Sequence, residues 1–147
     1  MPRIDDGFPT LISFGGLDSG VTLKIWEREV TPPGVDGGGA NDTTNMRNTY
    51  WRTRAPKKLV TLTTMSFVAQ YDAELYDTDQ IQAMVNVNQP ITITFPDTSS
   101  VVFWGWLDKF NPNAITEGNV ATANCVIEPS NQDADGNEIA PVYNAPA

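Results

Sequence analysis

Five of the chain's nine basic residues, Arg47, Arg52, Arg54, Lys57 and Lys58, fall within residues 47–58, beside Tyr50 and Trp51. Cationic groups among aromatic rings can hold nucleic acid, with phosphates on the charges and bases stacked on the rings. They can also be an ordinary solvated strand end, or meet an acidic surface on another protein. The remaining 135 positions hold four basic and eighteen acidic residues, and the formal net charge is −9. A surface of that sign repels a phosphate backbone at long range. The same imbalance favours the third reading, because identical acidic subunits repel unless opposite charges meet at the joint. Complementary charge sets register and partner choice more than affinity.

Other chemistry is scarce. The chain has no histidine, which removes the commonest general base, the usual serine triad and most zinc or iron sites. Cys125 is the single cysteine; it lies in an apolar run and reads as an inert buried thiol, and it excludes an internal disulfide framework. No nucleophile–base pair is visible. The expectation is therefore a protein that is not an enzyme, with no catalytic residue, no metal ligand and no cofactor. "DADGNE" at 133–138 begins like a calcium loop but lacks the glutamate at the twelfth position and the flanking helices, so a solvated turn is expected. "NDT" at 41–43 fits a glycosylation sequon by chance, since "MPRIDDGFPT" has no apolar signal core and an intracellular product is expected. No run approaches the ~18 apolar residues of a membrane span. Gly37–Gly39 reads as a flexible linker, because no Gly-Lys-Ser/Thr phosphate cradle follows.

The elements that would hold these residues alternate with period two. "GVTLKIWERE" places Val21, Leu23 and Ile25 opposite Thr22, Lys24 and Trp26. "PITITF", the turn "PDTSS" and "VVFWGWLDKF" form a hairpin, and "NVATANCVIE" is a strand stopped by Pro129. In "KKLVTLTTMSFVAQ" the apolar phase slips between Leu62 and Met65, which predicts a bend near Thr63 and Thr64. In "FWGWLDKF", Phe103, Gly105 and Leu107 share one face, and Val102, Trp104 and Trp106 the other. Both faces must be covered, either by two layers or by another subunit; a carbohydrate-stacking platform is the remaining alternative for Trp104 and Trp106. "DTDQIQAMVNVN" has one apolar stripe at helical spacing, with Asp77 and Gln80 resembling a capping box.

These elements predict one domain, 1–147, that is mainly β: an antiparallel β-sandwich or barrel with one flanking α-helix (about 77–88). A long loop (about 31–49) leaves it, and residues 130–147 form a polar C-terminal tail.

Three stretches, "TNMRNTYWRTRAPKKLVTLT", "YDTDQIQAMVNVNQPITITFPD" and "FWGWLDKFNPNAITEG" leading to "EPSN", occur in the right order over about residues 40–131. Together they resemble the major tail tube proteins of long-tailed (siphovirus-like) bacteriophages. The resemblance implies a β-sandwich with one flanking helix, assembled as hexameric rings. Strands of all subunits would join into a β-barrel around a channel, and the rings would stack into a tube. Its partners would be itself, a tape-measure protein in the lumen, and tail terminator and tail-tip proteins. DNA would pass through without specific binding, and the location would be the virion tail, assembled in the bacterial host cytoplasm. The long loop would reach a neighbouring copy, with Arg47, Tyr50, Trp51, Arg52, Arg54, Lys57, Lys58, Trp104 and Trp106 as inter-subunit contacts. The hairpin 91–107 and the strand from Lys57 are candidates for the channel sheet. A secretion-apparatus tube, a tail-end ring protein and a carbohydrate- or host-surface-binding module are the alternatives.

Overall fold

The computed structural model describes residues 10–15, 25–78 and 80–146. Val21 and Leu23, assigned from the sequence to one strand face, lie outside them. The strands begin with β1 (Leu11–Phe14), β2 (Ile25–Thr31), β3 (Val35–Asp36), β4 (Ala40–Asp42), β5 (Arg54–Pro56) and β6 (Thr61–Leu62). After β7 (Met65–Tyr71) come a 3-10 turn at Ala73–Tyr76 and a single helical turn, α1 (Ile81–Met84). Then follow β8 (Gln89–Thr94), β9 (Ser100–Pro112), β10 (Thr122–Pro129) and β11 (Val142–Asn144).

The main sheet is antiparallel and runs β1-β8-β9-β10-β7-β2, with β11 added beside β9. Its long strand, β9, serves two half-sheets. Ser100–Gly105 pairs with β8 and Ser100–Val102 with β11, whereas Gly105–Pro112 pairs with β10. A bulge at Asp108, between Leu107 and Lys109 in the β10 register, adds local twist. At the crossover Gly105 has no room for a side chain: a Cβ there would lie 2.5 Å from the Glu128 carbonyl oxygen.

Alternation then decides what is inside. Phe14, Ile25, Met65, Phe67, Ile91, Ile93, Phe103, Leu107 and Ile127 all point into one buried core. Each fully buried side chain of this size contributes about 1.5–3 kcal/mol. The sheet rolls around this core, and the Ile12 N–H donates to Glu27 Oε1 at 3.1 Å where β1 approaches β2. No ladder joins those two strands, so the roll stays open. The mainly β antiparallel expectation holds, and the sandwich-or-barrel choice resolves to an unclosed roll. The phase slip at Thr63 and Thr64 is the break between β6 and β7.

The helix expected over about 77–88 is corrected to four residues, Ile81–Met84. Val85 is already extended, at ψ 124°, and bridges Leu107 in parallel; Asn86 has φ 57°. β-branched valines alternating with asparagines in "VNVN" hold a helix poorly, and Asn88 instead bonds Ser130 Oγ and the Gln132 carbonyl. The C-terminal segment is polar, but it also returns to pair β11 with β9. Before that return, Asp133 Oδ1 accepts from the Asp135 and Asn137 amides, so "DADGNE" is a self-contained turn.

Candidate functional site

The excursion expected as a loop over about 31–49 is half of a longer, two-legged arm spanning residues 32–64. β3 pairs with β6 and β4 with β5, so the chain goes out and returns as a narrow antiparallel ribbon. Its root is tied where Gly34 and Thr63 meet: the Thr63 N–H donates to the Gly34 carbonyl (2.8 Å), and the Gly34 N–H to Thr63 Oγ1 (2.8 Å). Glycine serves conformation here more than flexibility. Gly38 and Gly39 take φ of 78° and 89°, which L-residues rarely adopt, and turn the outgoing leg between β3 and β4.

The tip, residues 43–53, is ordered by its own polar side chains. The Thr43 N–H donates to the Thr53 carbonyl, the Thr53 N–H to Thr44 Oγ1, and Asn48 Nδ2 to the Trp51 carbonyl at 2.7 Å. Thr44 also donates to Asp42, which holds that carboxyl below its ordinary range. A shaped tip therefore presents groups that no described residue covers: Tyr50 is 92% exposed and Trp51 82%. Arg47, Arg52, Arg54, Lys57 and Lys58 are exposed on the same ribbon. An open groove at the tip is lined by Ala40, Asp42, Tyr50, Trp51, Arg52 and Arg54. Arg52 lies 3.9 Å from Asp42, both largely in solvent, a separation at which little binding energy is at stake.

Seven of the nine residues expected as contacts are thus gathered on the arm. Trp104 and Trp106 are not among them. They are half-buried on the outer face of β9, beside Pro90 and Glu128 respectively. Glu128 accepts a hydrogen bond from Thr64 Oγ1, which places Trp106 at the arm's root. Sequence reading passed over Val35, Met46, Leu59 and Val60, all exposed apolar residues of the arm. Their signal was apolar side chains inside a run otherwise polar or charged.

A second uncovered feature is backbone. β2 pairs only with β7, and β9 beyond Leu107 only with β10, so both edges of the unit β2-β7-β10-β9 are open among the described residues. Cys125 is buried, and burial pushes its thiol up to about 12. Among the described residues no cluster of acids and cysteine is placed to hold a metal, and no helix is long and apolar enough to cross a membrane.

No protein-family model and no curated protein matches this chain. The solved structures do supply a likeness. The chain folds like a component of the anti-feeding prophage baseplate. That cryo-EM structure is six-fold symmetrised; the match has a TM-score of 0.64 at 6% identity, covering 98% of this chain and 96% of that one. At such identity the likeness is one of fold.

Proposed function

We propose that this chain is a non-enzymatic structural subunit of a phage-type tail tube, forming stacked hexameric rings whose channel conducts DNA. The observation that carries the reading is the fold shared, nearly end to end, with a component of a six-fold symmetrised phage-tail-like baseplate. The open edges supply a joint. β2, β7, β10 and β9 alternate in direction, so the free edge of β2 is antiparallel to the free edge of β9 in a copy related by simple rotation. Such a heterologous contact closes into a ring and removes both exposed edges.

In that ring the face of the unit opposite the core would line the channel. It carries Gln70, Asn124, Thr122, Ser66, Glu29 and Glu128, with Lys109 and, beside Gln70 and Thr122, Arg28 as bases. This reading keeps the strand after Lys57 as lining but replaces the hairpin 91–107 with β2, β10 and the far half of β9. Two acids and two bases leave this face without a positive stripe for a phosphate backbone to grip. A tape-measure protein would occupy the lumen during assembly, and terminator and tip proteins would cap the ends.

A tail-end ring protein is the second reading, favoured because the likeness is to a baseplate; it would form rings that do not polymerise. Sedimentation velocity of the purified full chain over a concentration series tests the ring. A species of six times the monomer mass is expected, and a monomer at every concentration contradicts both readings.

A further inference from the structure

From Thr43 to Lys58 the chain has five bases and no acid, whereas the residues outside that run hold four bases and eighteen acids. Apolar side chains stand uncovered among those bases. Met46 is fully exposed, Tyr50 and Trp51 nearly so, and Leu59 and Val60 follow on the returning leg. The backbone that carries them has its own partners. Thr43 and Thr53 bond across the tip, Asn48 Nδ2 donates to the Trp51 carbonyl, and the Arg47 amide donates to Asn45 Oδ1 at 2.9 Å. A turn satisfied in this way gives up water at little cost.

The tip also stands away from the acidic body. Glu128 lies at the arm's root, where Thr64 bonds it. Gly34, at the same root, and Thr43, where the tip begins, are nine residues apart. At ~3.3 Å per extended residue they lie up to about 30 Å from one another. The ~8 Å Debye length of physiological salt is much shorter, so the acids of the body do not set the potential the tip meets. Asp42 is the exception, facing Arg52 at 3.9 Å.

The boundary of an anionic bilayer matches such a surface. Bases meet phosphate headgroups there, and amphipathic rings lie at headgroup level. A nucleic acid would use the bases and the two rings, but would leave Met46, Leu59 and Val60 uncovered. We infer that the arm tip docks on an anionic lipid surface, with Met46, Tyr50 and Trp51 in the headgroup boundary and Arg47, Arg52 and Arg54 against lipid phosphates. The inference goes beyond the proposed function and does not need it, since a monomer carries the whole tip. Strand register places the arm where β2 finishes, β7 begins and β10 finishes, with the exposed Asp72, Glu74, Tyr76 and Glu117 at the opposite end. In rings stacked in one orientation, one terminal ring therefore has arms that no further ring covers. Its tips would bind together, with avidity.

Vesicles of phosphatidylglycerol and phosphatidylethanolamine test it on the purified full-length chain, with phosphatidylcholine vesicles as the neutral control. The protein is expected to sediment with the anionic vesicles in physiological salt and to stay in solution with the neutral ones. Tyr50→Ala with Trp51→Ala, and Arg52→Gln with Arg54→Gln, should each weaken that partition by about tenfold or more; none of the four belongs to the buried core. A second readout needs no alanine variant. Tryptophan emission should shift to the blue on anionic vesicles and be quenched by brominated acyl chains, and Trp51→Phe should abolish both changes. Absence of partition, partition that the paired variants leave unchanged, or a blue shift that persists in Trp51→Phe overturns the inference. A single-stranded oligonucleotide that binds the tip while anionic vesicles do not also overturns it, and assigns the tip to nucleic acid. Rings that ignore vesicles leave the tube reading intact, and a monomer that binds them leaves the lipid surface assigned without it.

Discussion

Among the described glycines, Gly105 is where a single methyl group has least room. A Cβ there would meet the Glu128 carbonyl at 2.5 Å and Pro129 Cα at 3.1 Å, both backbone atoms that cannot swing away. Gly105→Ala should destabilise the monomer by about 1–3 kcal/mol, the usual cost of overpacking, measured by urea unfolding; unchanged stability would mean the two strands are not so close. Glu27 gives a pH-dependent expectation. Burial raises its pKa above the ordinary 4.5, against the lowering effect of the backbone amides it accepts from. The unfolded chain therefore loses this proton first, and stability falls as pH rises from 4.5 through the folded value. Glu27→Gln keeps an acceptor for the Ile12 N–H and has no charge to lose. Its stability relative to wild type should rise across that window, and parallel curves would contradict this. The burial of Cys125 was legible in its alternating apolar neighbours. The crowding at Gly105 was not, because Glu128 and Pro129 arrive from another strand.

At the scale of elements, the strands were readable because period two directly reports one buried face. The hairpin of β8 and β9, the strand ending at Pro129 and the break at Thr63–Thr64 all emerge where the pattern places them. The helix was overread: Met84 is buried as a helical stripe requires, but spacing does not reveal that Val85 is drawn into a bridge with Leu107. The arm was read only on its outgoing leg, since the return leg is also a basic strand-like run and nothing local says it pairs backward. Its slight attachment to the core, through Leu62, makes a sharp prediction. Replacing residues 35–62 by a short turn joins Gly34 to Thr63, which already hydrogen-bond, and of the side chains packed on the core removes only the half-buried Leu62. The shortened monomer should keep a cooperative melt close to that of wild type by circular dichroism, while stacking is lost. A shortened chain that unfolds would show the arm to be part of the core.

For the whole molecule, the sequence shows that charge is segregated, but not which ends of the fold the segments occupy. Register supplies that, and with it a polarity: basic arm at one end, acids and Tyr76 at the other. In the proposed ring the open edges at β2 and β9 would give lateral closure. Such a lateral joint would be made of backbone ladders, whereas a contact made by the arm would rest on charge and aromatic rings. Salt should therefore separate tubes into rings well before it separates rings into monomers, which light scattering and sedimentation can follow together. The most direct measurement is cryo-electron microscopy of the purified full-length chain at high concentration. Six-fold rings stacked in one orientation into tubes are expected, with β2 of each copy beside β9 of the next. Dispersed monomers under every condition, or rings joined through any other pair of edges, would contradict it.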